Sequence, residues 1–191
     1  MSRAKVKTSK RRNVETSVRL AATRRGARSA DDEPPSSAKD QDLVITLSGC
    51  PDGTASPVRR AARRTLHSEG YGCGQLEIAV IGDAEMRRQH ARWMGEDTTT
   101  DVLAFDLRDK PRPGRVDGQL LVCKSVARRR ARSRKTDWQS ELLLYVVHGC
   151  LHLCGYRDRR PADATRIHRR EDEILAALGE GPVFSGVRDR T

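Results

Sequence analysis

Two histidines, His148 and His152, lie four residues apart in a stretch otherwise rich in leucine, valine and cysteine, LLLYVVHGCLHLCGYRD at positions 142–158. A helix turns by about 100° per residue, so side chains four positions apart point to the same side. Cys150 and Cys154 fall on the opposite side, which excludes a site that uses both cysteines and both histidines. Two imidazoles that point together from an apolar helix are typical of metal ligands.

A third ligand is available at Asp158, six residues after the second histidine. Glycine often ends a helix in the left-handed conformation, so the chain can fold back at Gly155 and bring this carboxylate to the histidines. Two imidazoles and a carboxylate match an open zinc site with three protein ligands and water in the fourth position. We therefore predict that His148, His152 and Asp158 bind one zinc ion, with His168 as the alternative to Asp158.

The residue after the first histidine is Gly149. In zinc peptidases with the HExxH motif, this position holds the glutamate that acts as general base. Its absence disfavours peptidase chemistry. No catalytic group is predicted beyond the metal-bound water, since a metal ion can activate water against a phosphodiester. The simpler alternative is that both histidines hydrogen-bond to backbone carbonyls and that Asp158 caps the next helix.

A second chemical pattern is a strongly basic helix at residues 124–135, which contains no acidic residue. Like charges repel along such a helix unless an anion neutralises them, which favours contact with RNA over a merely solvated surface. These side chains spread around the helix, so not all of them can meet the same RNA backbone. The predicted RNA-binding residues are Lys124, Arg128, Arg129, Arg132, Arg134 and Lys135.

Hydrophobic spacing and glycine and proline signals predict the elements that position these residues. Strands are predicted at 42–49, 75–82, 100–107 and 118–123, and helices at 56–70, 83–95, 124–135, 136–155 and 161–179. We expect helix N-caps at Ser56 and Thr136, a turn fixed by Thr100 or Asp101, and a surface position for His90. The pattern is that of an α+β domain with a four-stranded sheet packed by helices and an almost entirely apolar helix at its centre.

The ends of the chain differ from this domain, which spans residues 42–179. Residues 1–41 are rich in arginine and lysine and have no hydrophobic period, so they are predicted to be a disordered basic tail. Residues 180–191 are predicted to be a short C-terminal tail.

The composition restricts the partners and the compartment of the chain. Its 191 residues carry a formal net charge of +11, which favours nucleic acid over a membrane as the partner. No apolar run reaches membrane-spanning length, so no membrane association is expected. The five cysteines are odd in number and lie mostly in apolar strings, which indicates reduced thiols and a cytoplasmic protein.

The sequence resembles the YbeY family of bacterial rRNA maturation factors. The resemblance rests on HGCLHLCGYRD (148–158), TTDVLAF (99–105), GQLLVC (118–123) and REDEILAALG (170–179), in order along the predicted domain. It implies a zincin-like fold, one zinc ion, and endoribonuclease activity on single-stranded RNA. It also implies a role in 3′-end maturation of small-subunit rRNA and in ribosome biogenesis. His148 and His152 match the first two metal ligands of the family, and Asp158 stands where the family has a third histidine.

The chain also departs from the family pattern at Arg157, where the family has aspartate, and at Met94, where it commonly has arginine six residues before Thr100. Together with Asp158, these departures leave a second hypothesis open: a non-catalytic, metal-containing assembly factor that binds RNA or the ribosome. A third hypothesis is a zinc metallopeptidase, which Gly149 disfavours.

Overall fold

The computed structural model describes residues 5–8 and 42–181, which form one mixed sheet and five helices. The strands are β1 (Lys5–Thr8), β2 (Val44–Ser48), β3 (Cys73–Ile81), β4 (Val102–Asp106) and β5 (Arg115–Cys123). The helices are α1 (Ala55–Ser68), α2 (Asp83–Met94), α3 (Lys124–Arg134), α4 (Trp138–Leu153) and α5 (Pro161–Ala177).

The five strands have the order β1-β4-β5-β3-β2. Strands β2, β3 and β5 run parallel to one another, β4 runs antiparallel to β5, and β1 runs parallel to β4. Because Val102 pairs with Val122, the start of β4 lies beside the end of β5. The backbone N–H of Cys123 donates to the carbonyl of Asp101 at 2.8 Å, which fastens the turn before β4 to that end of the sheet.

The predicted α+β fold is confirmed, and residues 42–179 supply the four predicted strands together with helices in the predicted order. Within the segment 1–41, which was predicted to be a disordered tail, Lys5–Thr8 form β1 along the edge of β4. Strand pairing uses backbone groups that an edge strand leaves open, so it needs no hydrophobic period in the added segment. Residues 9–41 and 182–191 lie outside the described residues, and the tails stay predictions there.

Two predicted helix starts and one predicted surface position are wrong. The N-cap of α1 is Thr54, not Ser56, and that of α4 is Asp137, whose carboxylate accepts from the N–H groups of Gln139 and Ser140. Aspartate caps a helix through the same contact as threonine, so adjacent candidates cannot be separated by residue type. His90 is buried, and its Nδ1 donates to the carbonyl of Thr98, in the loop after α2, at 2.8 Å.

Helix α4 packs into the core, and 12 of its 16 residues are buried. Two glycines let it lie close to the sheet. A Cβ atom on Gly118 of β5 would lie 2.9 Å from Leu153 Cδ1, and one on Gly149 of α4 would lie 2.9 Å from Leu120 Cδ2 and 3.0 Å from Val102 Cγ2. The close contact with the sheet therefore fixes the position of the C-terminal turn of α4 and of its side chains.

Candidate metal centre

His148 and His152 occupy the last two turns of α4, and their side chains point the same way. After the helix, the chain turns at Gly155, whose φ of +96° lies in the left-handed region that favours glycine. This turn returns the chain to the histidines, so that ligand atoms of His148, His152 and Asp158 all lie within 4.8 Å of one another. Among the residues that the structure describes, His168 on α5 does not belong to this group.

The backbone that follows α4 orients the second histidine. Nδ1 of His152 lies 2.9 Å from the carbonyl oxygen of Tyr156. Because a carbonyl can only accept, Nδ1 carries the proton, and Nε2 of the neutral ring keeps its lone pair. His152 is only 4% exposed, so the Gly155 turn holds it in one tautomer and one orientation.

A carboxylate from another helix orients the first histidine. Nδ1 of His148 contacts Oε1 of Glu171, which lies on α5 and is fully buried. A carboxylate also accepts only, so Nδ1 of His148 is the donor and Nε2 is left to face the other ring. The two Nε2 atoms lie 2.9 Å apart, with ring centroids separated by 4.4 Å and planes at 89°.

Two nitrogen lone pairs that face each other at this distance repel, unless a proton or a metal cation lies between them. The pKa shifts of the two histidines are consistent with positive charge at this place. Burial alone would lower the pKa of His148, but the Glu171 carboxylate, with Asp101 and Asp158, outweighs it and raises that pKa. Burial and the charge of His148 together lower the pKa of His152 to about 4. The surrounding carboxylates thus favour positive charge at His148, and that charge disfavours protonation of His152.

This donor set fits a divalent metal ion. Each histidine has its Nδ1 held by a second group, which is how metal-binding histidines are commonly oriented. The two Nε2 atoms and a carboxylate oxygen of Asp158 remain as ligands, and they converge on one place. His148 and Asp158 are half-buried, whereas His152 is buried.

The packing of α4 explains why no glutamate follows His148. A side chain at position 149 would point at Leu120 and Val102 and not at the histidine face, and even one carbon atom there would be too close to both. Of the two cysteines predicted to lie on the back of the helix, Cys150 is fully buried in the core, and Cys154, the C-cap of α4, is partly buried against it.

The residues predicted to bind RNA divide into two groups. Arg129 pairs with Asp83, and Arg134 donates to Glu141 at 2.8 Å, so carboxylates of neighbouring helices already neutralise both. Lys124, Arg128 and Arg132 are spaced four residues apart along α3 and lie within about 80° of one another around its axis. The guanidinium carbon of Arg128 also lies 4.9 Å from the centroid of the Trp138 ring. Lys135 is the C-cap residue of the helix.

Sequence reasoning missed two residues that support the centre. Glu171 is 23 residues from its histidine, in a helix that also carries exposed acids, and residue type alone does not separate it from them. Arg108 follows β4 and donates to both oxygens of Asp106 at 2.8 Å and to the carbonyl of Leu153 at 2.9 Å. It therefore ties the end of α4, one residue after His152, to the sheet. No periodic pattern in the sequence signals either contact.

Comparison with known proteins gives one family. The family model described as endoribonuclease YbeY matches residues 52–179. Two proteins named endoribonuclease YbeY are similar to the chain. The one from Anaeromyxobacter sp. (strain Fw109-5) is 37% identical over 135 residues, covering 71% of this chain and 69% of the relative. The one from Anaeromyxobacter dehalogenans is 36% identical over 149 residues, covering 77% and 76%.

The fold also matches a solved structure. The solution structure of a protein from Thermotoga maritima aligns with a TM-score of 0.52 and 21% sequence identity, and the alignment covers 78% of this chain and 97% of that protein. At this level of identity the match supports the fold.

Proposed function

The chain belongs to the endoribonuclease YbeY family, whose fold is zincin-like, and on this premise we propose that it is a zinc-dependent endoribonuclease that cleaves single-stranded RNA. We further propose that it acts on rRNA of the small ribosomal subunit, in 3′-end maturation and ribosome biogenesis. The observation that carries the proposal is the convergence of His148, His152 and Asp158, with both Nε2 atoms turned inward.

The ion proposed is zinc, held by His148, His152 and Asp158. Two imidazole nitrogens and a carboxylate oxygen are a ligand set typical of open zinc sites with three protein ligands. When bound, zinc would supply a Lewis acid that lowers the pKa of water and stabilises negative charge on a phosphodiester. The protein contributes a fixed orientation of the His152 ring, because the turn at Gly155 places the Tyr156 carbonyl where it accepts a hydrogen bond from Nδ1.

The packing at Gly149 separates this proposal from a peptidase. A HExxH peptidase places a glutamate beside its first histidine, and here the sheet fills that space with Leu120 and Val102. Phosphodiester cleavage would depend less on such a base, since an ion held by these three residues would itself supply the activation of water.

We propose that single-stranded RNA reaches the site across α3. Lys124, Arg128 and Arg132 form a stripe along the basic helix, and none of these three side chains has a carboxylate partner among the described residues, unlike Arg129 and Arg134. Positive side chains at regular spacing on one face suit a phosphate backbone, which carries negative charge at every nucleotide. Arg129 and Arg134 contribute less, because an RNA phosphate would have to compete with their carboxylates.

A cytoplasmic location is the compartment we propose. All five cysteines are free, which fits a reducing compartment. Within residues 5–8 and 42–181, no helix is both long enough and apolar enough to cross a lipid bilayer.

The test combines metal analysis of the purified protein with cleavage of single-stranded RNA by wild type and His152→Ala. We expect the wild type to contain about one zinc per chain, since the described residues contain one such ligand group. We expect His152→Ala to lose both zinc and cleavage, because one of the three proposed ligands is gone. His67→Ala is the control, since His67 is an exposed histidine on α1 and its loss should change neither quantity.

The alternatives give different results in the same experiment. Zinc without metal-dependent RNA cleavage would favour the non-catalytic assembly factor, and peptide cleavage in place of RNA cleavage would favour the peptidase. Cleavage that survives His152→Ala at the wild-type rate would refute the proposal.

A further inference from the structure

Glu171 is a carboxylate in an apolar environment. It lies on α5 with 0% exposure, on the side of the helix that Ile167, Ile174 and Leu175 pack into the core. Its Oε1 contacts Nδ1 of His148, and its Oε2 has no hydrogen-bond partner among the described residues. A buried carboxylate with half of its acceptors unused is costly, unless positive charge lies nearby.

Within the described residues, His148 is the only basic side chain paired with Glu171. The other charged groups near the two histidines are carboxylates, namely Asp101 before β4 and Asp158 after the Gly155 turn. Three acidic groups therefore surround two imidazole rings. A neutral imidazole can donate one hydrogen bond to Glu171, but it cannot balance these charges.

A divalent cation at the Nε2 atoms would supply the missing charge. It would polarise the His148 ring, and the Nδ1–H of that ring would become a stronger donor to Glu171. The buried carboxylate would then face a positively charged unit, and a charge-assisted hydrogen bond is about twice as strong as a neutral one.

We propose that Glu171 is a positioning residue of the metal centre, which fixes the tautomer of His148 and uses its buried negative charge to strengthen metal binding across the α4–α5 interface. The inference rests on the metal centre of the proposed function and deepens it. Metal binding and the packing of α5 on α4 are then linked, because each stabilises the arrangement that the other needs. Glu171 acts through His148 and does not itself touch the substrate.

The test compares the zinc affinity of wild type, Glu171→Gln and Glu173→Gln by competition with a chelator. Glutamine keeps the shape of the side chain and one acceptor oxygen, but it removes the charge. We expect Glu171→Gln to bind zinc about 10–100-fold more weakly, as is usual for outer-shell partners of metal-binding histidines. Glu173 lies on the same helix but on its outer side, paired with Arg170, so Glu173→Gln should bind zinc like the wild type.

A second readout separates positioning from a purely structural role. In nitrogen-15 NMR spectra of the zinc-loaded wild type, we expect His148 to carry its proton on Nδ1, and we expect this signal to shift in Glu171→Gln. The rise in melting temperature on adding zinc should also be smaller in Glu171→Gln than in the wild type. A structural role alone would lower the stability equally with and without zinc and leave the affinity unchanged, which would overturn the inference.

The failure of this inference differs from the failure of the proposed function. A wild-type protein that holds no zinc would overturn both. A wild type that binds zinc, together with Glu171→Gln of equal affinity, would overturn the role of Glu171 alone.

Discussion

Asp158 is the proposed third ligand and stands where the resemblance to the family implies a histidine, so the difference is one of charge. A carboxylate brings a negative charge to the bound ion, whereas a neutral imidazole brings none, so the ion keeps more of its positive charge with three histidines. More positive charge makes bound water more acidic. The choice of third ligand therefore controls the pH at which the centre becomes active.

We expect Asp158→His to shift the rising limb of the pH–activity profile for RNA cleavage to lower pH, by on the order of one pH unit. Asp163→His is the matched control, because it removes a nearby aspartate that lies outside the ligand group. The measurement is the cleavage rate as a function of pH at saturating zinc. If the profile of Asp158→His and its zinc content both equal those of the wild type, Asp158 is not a ligand, and His168 becomes the residue to test.

The residues of the centre were predictable to different degrees. His148 and His152 follow from a spacing of four in a helix, and Asp158 from a glycine that turns the chain back, so local rules are enough to bring these three together. Glu171 is set by how α5 packs on α4. A single sequence holds no signal for such a packing contact, because residue type alone does not distinguish a buried glutamate from an exposed one.

At the scale of elements, the C-terminal end of α4 carries two side chains of the proposed metal centre, so its position matters for that proposal. The last carbonyls of a helix lack partners within the helix. Arg108 supplies one by donating to the carbonyl of Leu153, while its other contacts reach Asp106 and the carbonyl of Arg115. Its side chain is only 9% exposed, so these contacts form away from bulk water. The bonds to Asp106 raise the pKa of Arg108, which keeps the guanidinium charged.

Arg108→Met should lower the free energy of unfolding by about 3–5 kcal/mol, because it leaves Asp106 without its partner and the Leu153 carbonyl without its donor. Urea denaturation measures the change. The control is Arg87→Met, since the Arg87 side chain is 53% exposed and pairs with an Asp97 that is 76% exposed. Removing that pair should cost less than about 1 kcal/mol. Equal losses in the two variants would show that Arg108 does not hold the helix end.

The elements themselves were predictable where hydrophobic periods and glycine stops agree, which is the case for α2, α4 and the central strands. The helix starts were misplaced by one or two residues, because residue type does not separate neighbouring cap candidates. Asp137 caps α4 with its carboxylate, whereas the Thr54 side chain at the start of α1 donates to the carbonyl of Pro51 and makes no capping bond. Strand β1 could not be predicted, since its partner is the edge of β4 and an edge accepts many sequences through backbone hydrogen bonds alone.

At the scale of the whole molecule, only some of the basic side chains are available to bind an anion. Many basic side chains are already paired, such as Arg115 with Asp117 and Arg170 with Glu69. The stripe of Lys124, Arg128 and Arg132 has no such partner among the described residues, so it can exchange small counterions for RNA phosphates without losing an ion pair.

We expect neutralising the stripe, with Lys124→Gln, Arg128→Gln and Arg132→Gln combined, to weaken binding of single-stranded RNA and to flatten its salt dependence. Each lost phosphate contact should reduce the slope of log affinity against log salt concentration by about 0.7, so three contacts give a change of about 2. Binding is measured at several salt concentrations with the same RNA.

The control removes the same charge elsewhere, with Arg59→Gln, Arg60→Gln and Arg64→Gln on the exposed side of α1. If RNA binding depended only on net charge, the two triple variants would lose affinity and slope equally. If it depends on phosphate contacts along α3, the α1 variant keeps the wild-type slope, because counterion release counts the phosphates that are touched and not the total charge. An unchanged slope in the α3 variant would mean that this stripe is only a solvated surface and that RNA enters the centre from another side.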